Sequence, residues 1–169
     1  MTRLAAALLV LLSGATETLV NVEYRAVTLE PGQRKGFRVP TLEKVTATSS
    51  TCVEEGMDLD QAETFWMQAA CSGVRTAFAW RADGHRVYVM ACAEDSAARP
   101  AALVKLRQKV QVEAKLSKSQ TACVRNGRVE LWGWAKSAEE KAGLDQFVAK
   151  HADQVTSFVE VIDPSEAEP

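Results

Sequence analysis

Hydrophobic and polar residues alternate with period two through most of the first half of this chain. Helical spacing enters only in the second half. Val20, Val22, Tyr24 and Ala26 alternate with polar neighbours, which predicts a half-buried strand. Glu30-Pro31-Gly32-Gln33 has proline and glycine where a type II turn needs them. Extended structure resumes over Gly36 to Val39. The alternation returns at Val45, Ala47 and Ser49, and Phe65 to Ala70 is a further apolar run. The acidic stretch Glu54 to Glu63 predicts a loop or a short helix. Val74 to Ala93 reads as a hairpin about Asp83-Gly84. A two-residue turn there sets Trp80 opposite Val87, Phe78 opposite Val89 and Thr76 opposite Ala91 on a shared core face. The other face then carries Arg75, Arg81, Arg86, Tyr88, Met90 and Cys92.

From Arg99 the pattern changes. Pro100 suits a first helical turn, and Leu103, Leu106 and Val110 follow at helix spacing, with Lys105 and Lys109 on another side. A polar linker, Ser117 to Gln120, leads to a hairpin about Asn126-Gly127. As a type I′ turn this opposes Val124 to Val129 and Ala122 to Leu131 on the inner side, leaving Cys123, Trp132 and Trp134 on the other. Ser137-Ala-Glu-Glu140 is a capping box. The helix it opens stripes Leu144, Phe147, Val148 and His151 along one side. Val155 to Ile162 supplies a closing strand. The expected class is α+β in two small domains. Residues 16–98 form a mostly β domain, and residues 99–163 follow the order helix–strand–strand–helix–strand.

The ends refine this picture. Arg3, the unbroken apolar run Leu4 to Leu12 and the small residues Ser13-Gly-Ala15 read as an export signal over residues 1–15. The run is too short to span a bilayer. No cysteine follows it directly, so a lipid anchor is not expected. Residues 164–169, rich in Ser, Glu, Ala and Pro, read as a disordered tail. About 150 residues remain, enough for one ordinary domain or two small ones. With 47% hydrophobic and 25% charged residues, the composition is that of a folded soluble protein.

Charge is unevenly divided. Thr16 to Ala98 carries 8 basic and 12 acidic residues, Arg99 to Arg128 carries 8 and 1, and the remainder carries 3 and 9. The middle segment is therefore +7 between flanks of −4 and −6. A solvated helix face explains such a segment, and so does an anionic surface met by Lys105, Lys109, Lys115 and Lys118. Nucleic acid is not expected of an exported chain.

Four cysteines, Cys52, Cys71, Cys92 and Cys123, suggest two disulfides in an exported protein, and three connectivities are open. Cys92 and Cys123 both fall on outward faces, which favours a bridge between the domains and leaves Cys52–Cys71 within the first.

Candidate chemistry is sparse. His85 and His151 sit in different domains and make no metal site. Glu54, Glu55, Asp58 and Asp60 lack the glycine and closing glutamate of a calcium loop. With disulfides expected, no cysteine nucleophile remains. No catalytic residue, cofactor or metal is expected. Trp132 and Trp134 are the sharper feature, because large aromatics on an outer sheet face pack against another domain or a partner.

Two resemblances follow from these residues. Val124-Arg-Asn-Gly-Arg-Val-Glu-Leu-Trp-Gly133, the Ser137-capped helix and the strand Val155 to Val161 resemble the BON domain, although Asp153-Gln154 stands where many such domains have a glycine. Leu29 to Val39, Gly73-Val-Arg-Thr-Ala-Phe-Ala-Trp80 and Asp83-Gly84 resemble the N-terminal region of secretins of the Tad/Flp pilus type. In that family the two modules occur in this order ahead of a pore domain, which this sequence does not include. The resemblance implies a non-enzymatic periplasmic scaffold in pilus assembly or type II/III-like secretion, associated with the outer membrane. Its expected partners are protein subunits of the machine, ring-forming in that family. BON domains imply a second expectation, a peripheral phospholipid-binding protein of the cell envelope.

Overall fold

The computed structural model describes residues 22–96 and 99–162. The leader 1–15, residue 98 at the expected boundary and the tail 164–169 lie outside the described residues. The fold is α+β and mostly strand, with ten strands and two helices among the described residues.

Seven strands come first. β1 (Val22–Leu29), β7 (Arg86–Ala93), β6 (Gly73–Arg81) and β3 (Leu42–Ala47) lie in that order in one sheet, with β1 parallel to β7. β2 (Arg34–Arg38), β5 (Thr64–Ala69) and β4 (Val53–Met57) make a second, antiparallel sheet. The two sheets close on one buried cluster built from Leu29, Phe37, Val53, Phe65, Met67, Ala77 and Val89. The expected turn at Glu30 to Gln33 is present: Gln33 N donates to Glu30 O at 2.9 Å, and Gly32 takes a φ of +76°. Glycine adopts that φ without steric cost.

The β6–β7 hairpin departs from expectation. Its loop is three residues, Ala82-Asp83-Gly84, with Gly84 at φ +83° and Arg81 N donating to His85 O. Trp80 therefore opposes Arg86, Phe78 opposes Tyr88 and Thr76 opposes Met90. One extra loop residue turns every β6 side chain to the opposite face. Ala77 and Ala79 enter the core, and Phe78 and Trp80 leave it. Arg75 moves inward, where it donates to Val53 O at 2.6 Å and pairs with Glu55.

The acidic stretch is also corrected. Glu54 and Glu55 lie in β4 rather than in a loop or helix, opposite Gln68 and Met67. The ion pair to Arg75 and the Trp66 ring lying over Gly56 give this strand its packing.

The second part contains α1 (Ala101–Glu113), β8 (Gln120–Arg125), β9 (Arg128–Ala135), α2 (Ala138–Ala149) and β10 (Val155–Val161). Its sheet has the order β10-β9-β8, with β10 parallel to β9. Asn126 and Gly127 both have positive φ, as a type I′ turn demands, and Val124 faces Val129 as the sequence predicts. Ser137 caps α2 by accepting from Glu140 N at 3.1 Å. The Glu140 carboxylate in turn accepts from Lys136 N rather than from Ser137 N. Leu103, Val110 and Leu144 of the helices pack on Ala122, Leu131, Val155 and Val159 to form a second core.

Each of the two central sheets thus has a face left over from its own core, and those faces meet. Four layers result: the β2-β5-β4 sheet, the β1-β7-β6-β3 sheet, the β8-β9-β10 sheet, and the helices.

Candidate docking surface

The seam between the central sheets is polar at one end and aromatic at the other. Thr28 Oγ1 donates to Ala122 O at 2.8 Å and lies 2.7 Å from Thr121 Oγ1. Ala26 N donates to Lys118 O. Cys92 is bonded to Cys123 across the seam, and Cys52 is bonded to Cys71. This is the pairing that the two outward faces favour, and two disulfides fit an oxidising, exported compartment.

Glu94 follows directly on β7 and is fully buried at the seam. Its carboxylate accepts from Arg99, from Arg107 at 2.7 Å and from Val124 N at 3.0 Å. A buried charge with three charged or backbone donors is compensated. Glu130 is similarly buried and accepts from Arg125, Asn126 Nδ2 and Trp132 Nε1.

The two tryptophans share a face but not a role. Trp134 packs edge-on to Tyr24, with centroids 5.1 Å apart, at the seam. Trp132 stacks on Phe158 of β10 at 4.4 Å, within its own sheet. The shifted β6 register adds residues that sequence reasoning had put in the core. Phe78 meets Tyr88 edge-on at 4.8 Å, and Tyr88 meets Tyr24 at 5.4 Å. Together with Trp134, Met90 and Glu160 these rings line a groove of about 540 Å³ where the sheets diverge. The missed signal was Ala82, which together with Asp83-Gly84 makes a three-residue loop.

The basic segment is largely engaged. Arg99 and Arg107 serve Glu94, and Arg125 serves Glu130. Lys118 pairs with Glu23 at 2.9 Å, and Lys109 with Glu113 at 3.8 Å. Arg25 and Lys118 hold the Glu23 carboxyl at about 2, the Arg25 hydrogen bond first, against a smaller opposing effect of burial. Lys105 and Lys115 are exposed and form no ion pair among the described residues. A larger groove of about 730 Å³ runs between β1 and α1; Gln33, Gln111 and Lys118 line it together with the apolar Val27, Val112 and Leu116, and no aromatic ring does.

His85 and His151 lie far apart in the fold, beside the β6–β7 loop and after α2. His151 packs on Phe147 at 4.9 Å. Among the described residues no group of three or more His, Cys, Asp or Glu is placed to hold a metal ion. Buried nitrogens of Trp80, Arg81, His85 and Arg86 lack partners there; Arg81, His85 and Arg86 border one small cavity of about 200 Å³ together with Glu23 and Asp83. The Arg86 guanidinium lies over the Trp80 ring, 4.1 Å from its centroid. No helix among the described residues is long and apolar enough to cross a membrane.

Comparison with known proteins adds little. No family model matches the chain, and no curated protein matches it. Among solved structures, a 2,6-sialyltransferase from Vibrionaceae Photobacterium sp. JT-ISH-224, in complex with CMP and lactose, is 10% identical. The match covers 84% of this chain and 30% of that one, with a TM-score of 0.26. A similarity that weak carries no argument about fold or activity.

Proposed function

We propose that this chain is a non-enzymatic, exported assembly module that binds other protein subunits of a pilus or type II/III-like secretion machine. On this reading residues 16–98 are a secretin N-terminal-like domain and residues 99–163 a BON-like domain. The observation that carries it is the half-exposed aromatic groove of Tyr24, Phe78, Tyr88 and Trp134 at the seam. Aromatic side chains held rigidly on sheets supply contact area at low entropic cost, which suits protein docking. The groove gathers no acid–base pair beside a nucleophile; its one carboxylate, Glu160, lies among rings and aliphatic groups.

The test is complementation of a strain lacking this gene. A chain carrying Phe78→Ser and Tyr88→Ser, exported at normal level and folded by circular dichroism, is expected not to restore pilus assembly or secretion. Full restoration contradicts the reading. The alternative, a peripheral phospholipid-binding protein, draws support from exposed Lys105 and Lys115 on and after α1. Its mark is co-sedimentation with anionic vesicles that fades with salt and with Lys→Glu changes at Lys105, Lys109, Lys115 and Lys118.

A further inference from the structure

We propose that β10 is a self-association edge, on which a second copy of this chain pairs its own β10 antiparallel about Phe158. β10 is the outer strand of its sheet and bonds to β9 alone. The bonds Val129 N to Gln154 O and Ile162 N to Ala135 O fix the alternation of this parallel ladder. Residues 156, 158 and 160 turn their backbone groups to β9, and residues 155, 157, 159 and 161 turn theirs to the open edge. Two outward N–H groups have local partners: Val155 N donates to His151 O, and Val159 N donates to Ser157 Oγ at a long 3.3 Å. The N–H groups of Ser157 and Val161 have none among the described residues.

The edge is lightly protected, its one charged side chain being Glu160. The strand Val-Thr-Ser-Phe-Val-Glu-Val contains no proline, lysine or bulge, the devices that keep edge strands from pairing. It carries two of the five exposed large apolar residues described, Phe158 at 43% and Val161 at 39%.

Self-complementarity selects a second copy over a foreign strand. Pairing Phe158 with its own counterpart opposes Ser157 to Val159 and Val155 to Val161, so every hydrogen-bonded pair falls on outward-turned residues. A one-residue slip would set outward groups against inward ones. The same register opposes Thr156 to Glu160. Arg128 Nη1 already reaches Thr156 Oγ1 at 3.2 Å, so each copy's guanidinium would face the other copy's Glu160. Both residues are exposed and neither forms an ion pair among the described residues. At the centre the two Phe158 rings, each stacked on its own Trp132, come together as a non-hydrogen-bonded pair.

This inference goes beyond the docking reading, because it concerns the purified chain alone; its failure leaves the aromatic groove untouched. Sedimentation equilibrium of the mature chain up to about 1 mM is expected to show a reversible dimer. Arg128→Glu and Glu160→Arg are each expected to weaken it about tenfold, and the double reversal to restore it. Ser157→Pro removes an outward N–H while sparing the β9 ladder, and should leave a folded monomer. All four native cysteines are paired. Phe158→Cys should therefore give a disulfide-linked dimer in air, whereas Val161→Cys, facing Val155 of the other copy, should not. A monomer at every concentration overturns the proposal. So does a dimer that survives Ser157→Pro, equal cross-linking at 158 and 161, or a double reversal that fails to rescue.

Discussion

Glu94 Oε1 lies 2.7 Å from Arg107 Nη1, on a carboxylate with no solvent exposure. The same carboxylate takes Arg99 and the backbone N–H of Val124, so one side chain ties the end of β7 to α1 and to β8. Removing one partner of such a group leaves buried charge uncompensated. Glu94→Ala is therefore expected to cost about 3–5 kcal/mol in urea unfolding. A loss under about 1 kcal/mol would mean that the carboxylate is solvated in solution.

The Cys92–Cys123 bridge spans 31 residues and joins the two central sheets. In the chain-entropy account, closing a loop of that length contributes about 3–4 kcal/mol through the unfolded state. Cys92→Ala with Cys123→Ala should lower stability by that amount in guanidinium unfolding, with the Cys52–Cys71 bond intact by peptide mapping. Finding Cys71 joined to Cys92 instead would refute the seam as described.

Glu23 gives a pH dependence with a definite sign. Its carboxyl is lowered from 4.5 to about 2 in the folded chain, the Arg25 hydrogen bond first and Lys118 after it. A depressed carboxylate stabilises above its unfolded pKa, and that contribution fades as pH falls from about 4.5 towards 2. The group is partly exposed, so its share stays below about 1 kcal/mol. Glu23→Gln should be slightly less stable than the native chain at pH 7 and equal to it near pH 2, in thermal unfolding. A gap that widens on acidification would contradict the assignment.

The two hairpins show where sequence was sufficient and where it was not. Asn126-Gly127 and Asp83-Gly84 look alike as dipeptides, yet only the first has positive φ at both positions. At the second, Ala82 joins the loop and the β6 register moves by one, carrying Phe78 and Trp80 out of the core. The groove was illegible for that reason: one of its rings, Phe78, falls on the wrong face in the two-residue register. β7 and β8 were unaffected, which is why Cys92 and Cys123 could be recognised as facing outward. β4 was hidden differently. Its strand character comes from Arg75 and Trp66 on neighbouring strands, and a local window of Glu-Glu-Gly holds no trace of either. The α1-β8-β9-α2-β10 order was readable because caps and an Asn-Gly turn are local signals.

The central claim, that the aromatic groove grips another protein, meets its most direct test in photocross-linking inside the cell. A photoreactive residue at Phe78 should form adducts with an exported subunit of the assembly machine, while one at exposed Gln146 on α2 should not. Adducts to lipid alone, or equal adducts at both positions, would contradict it.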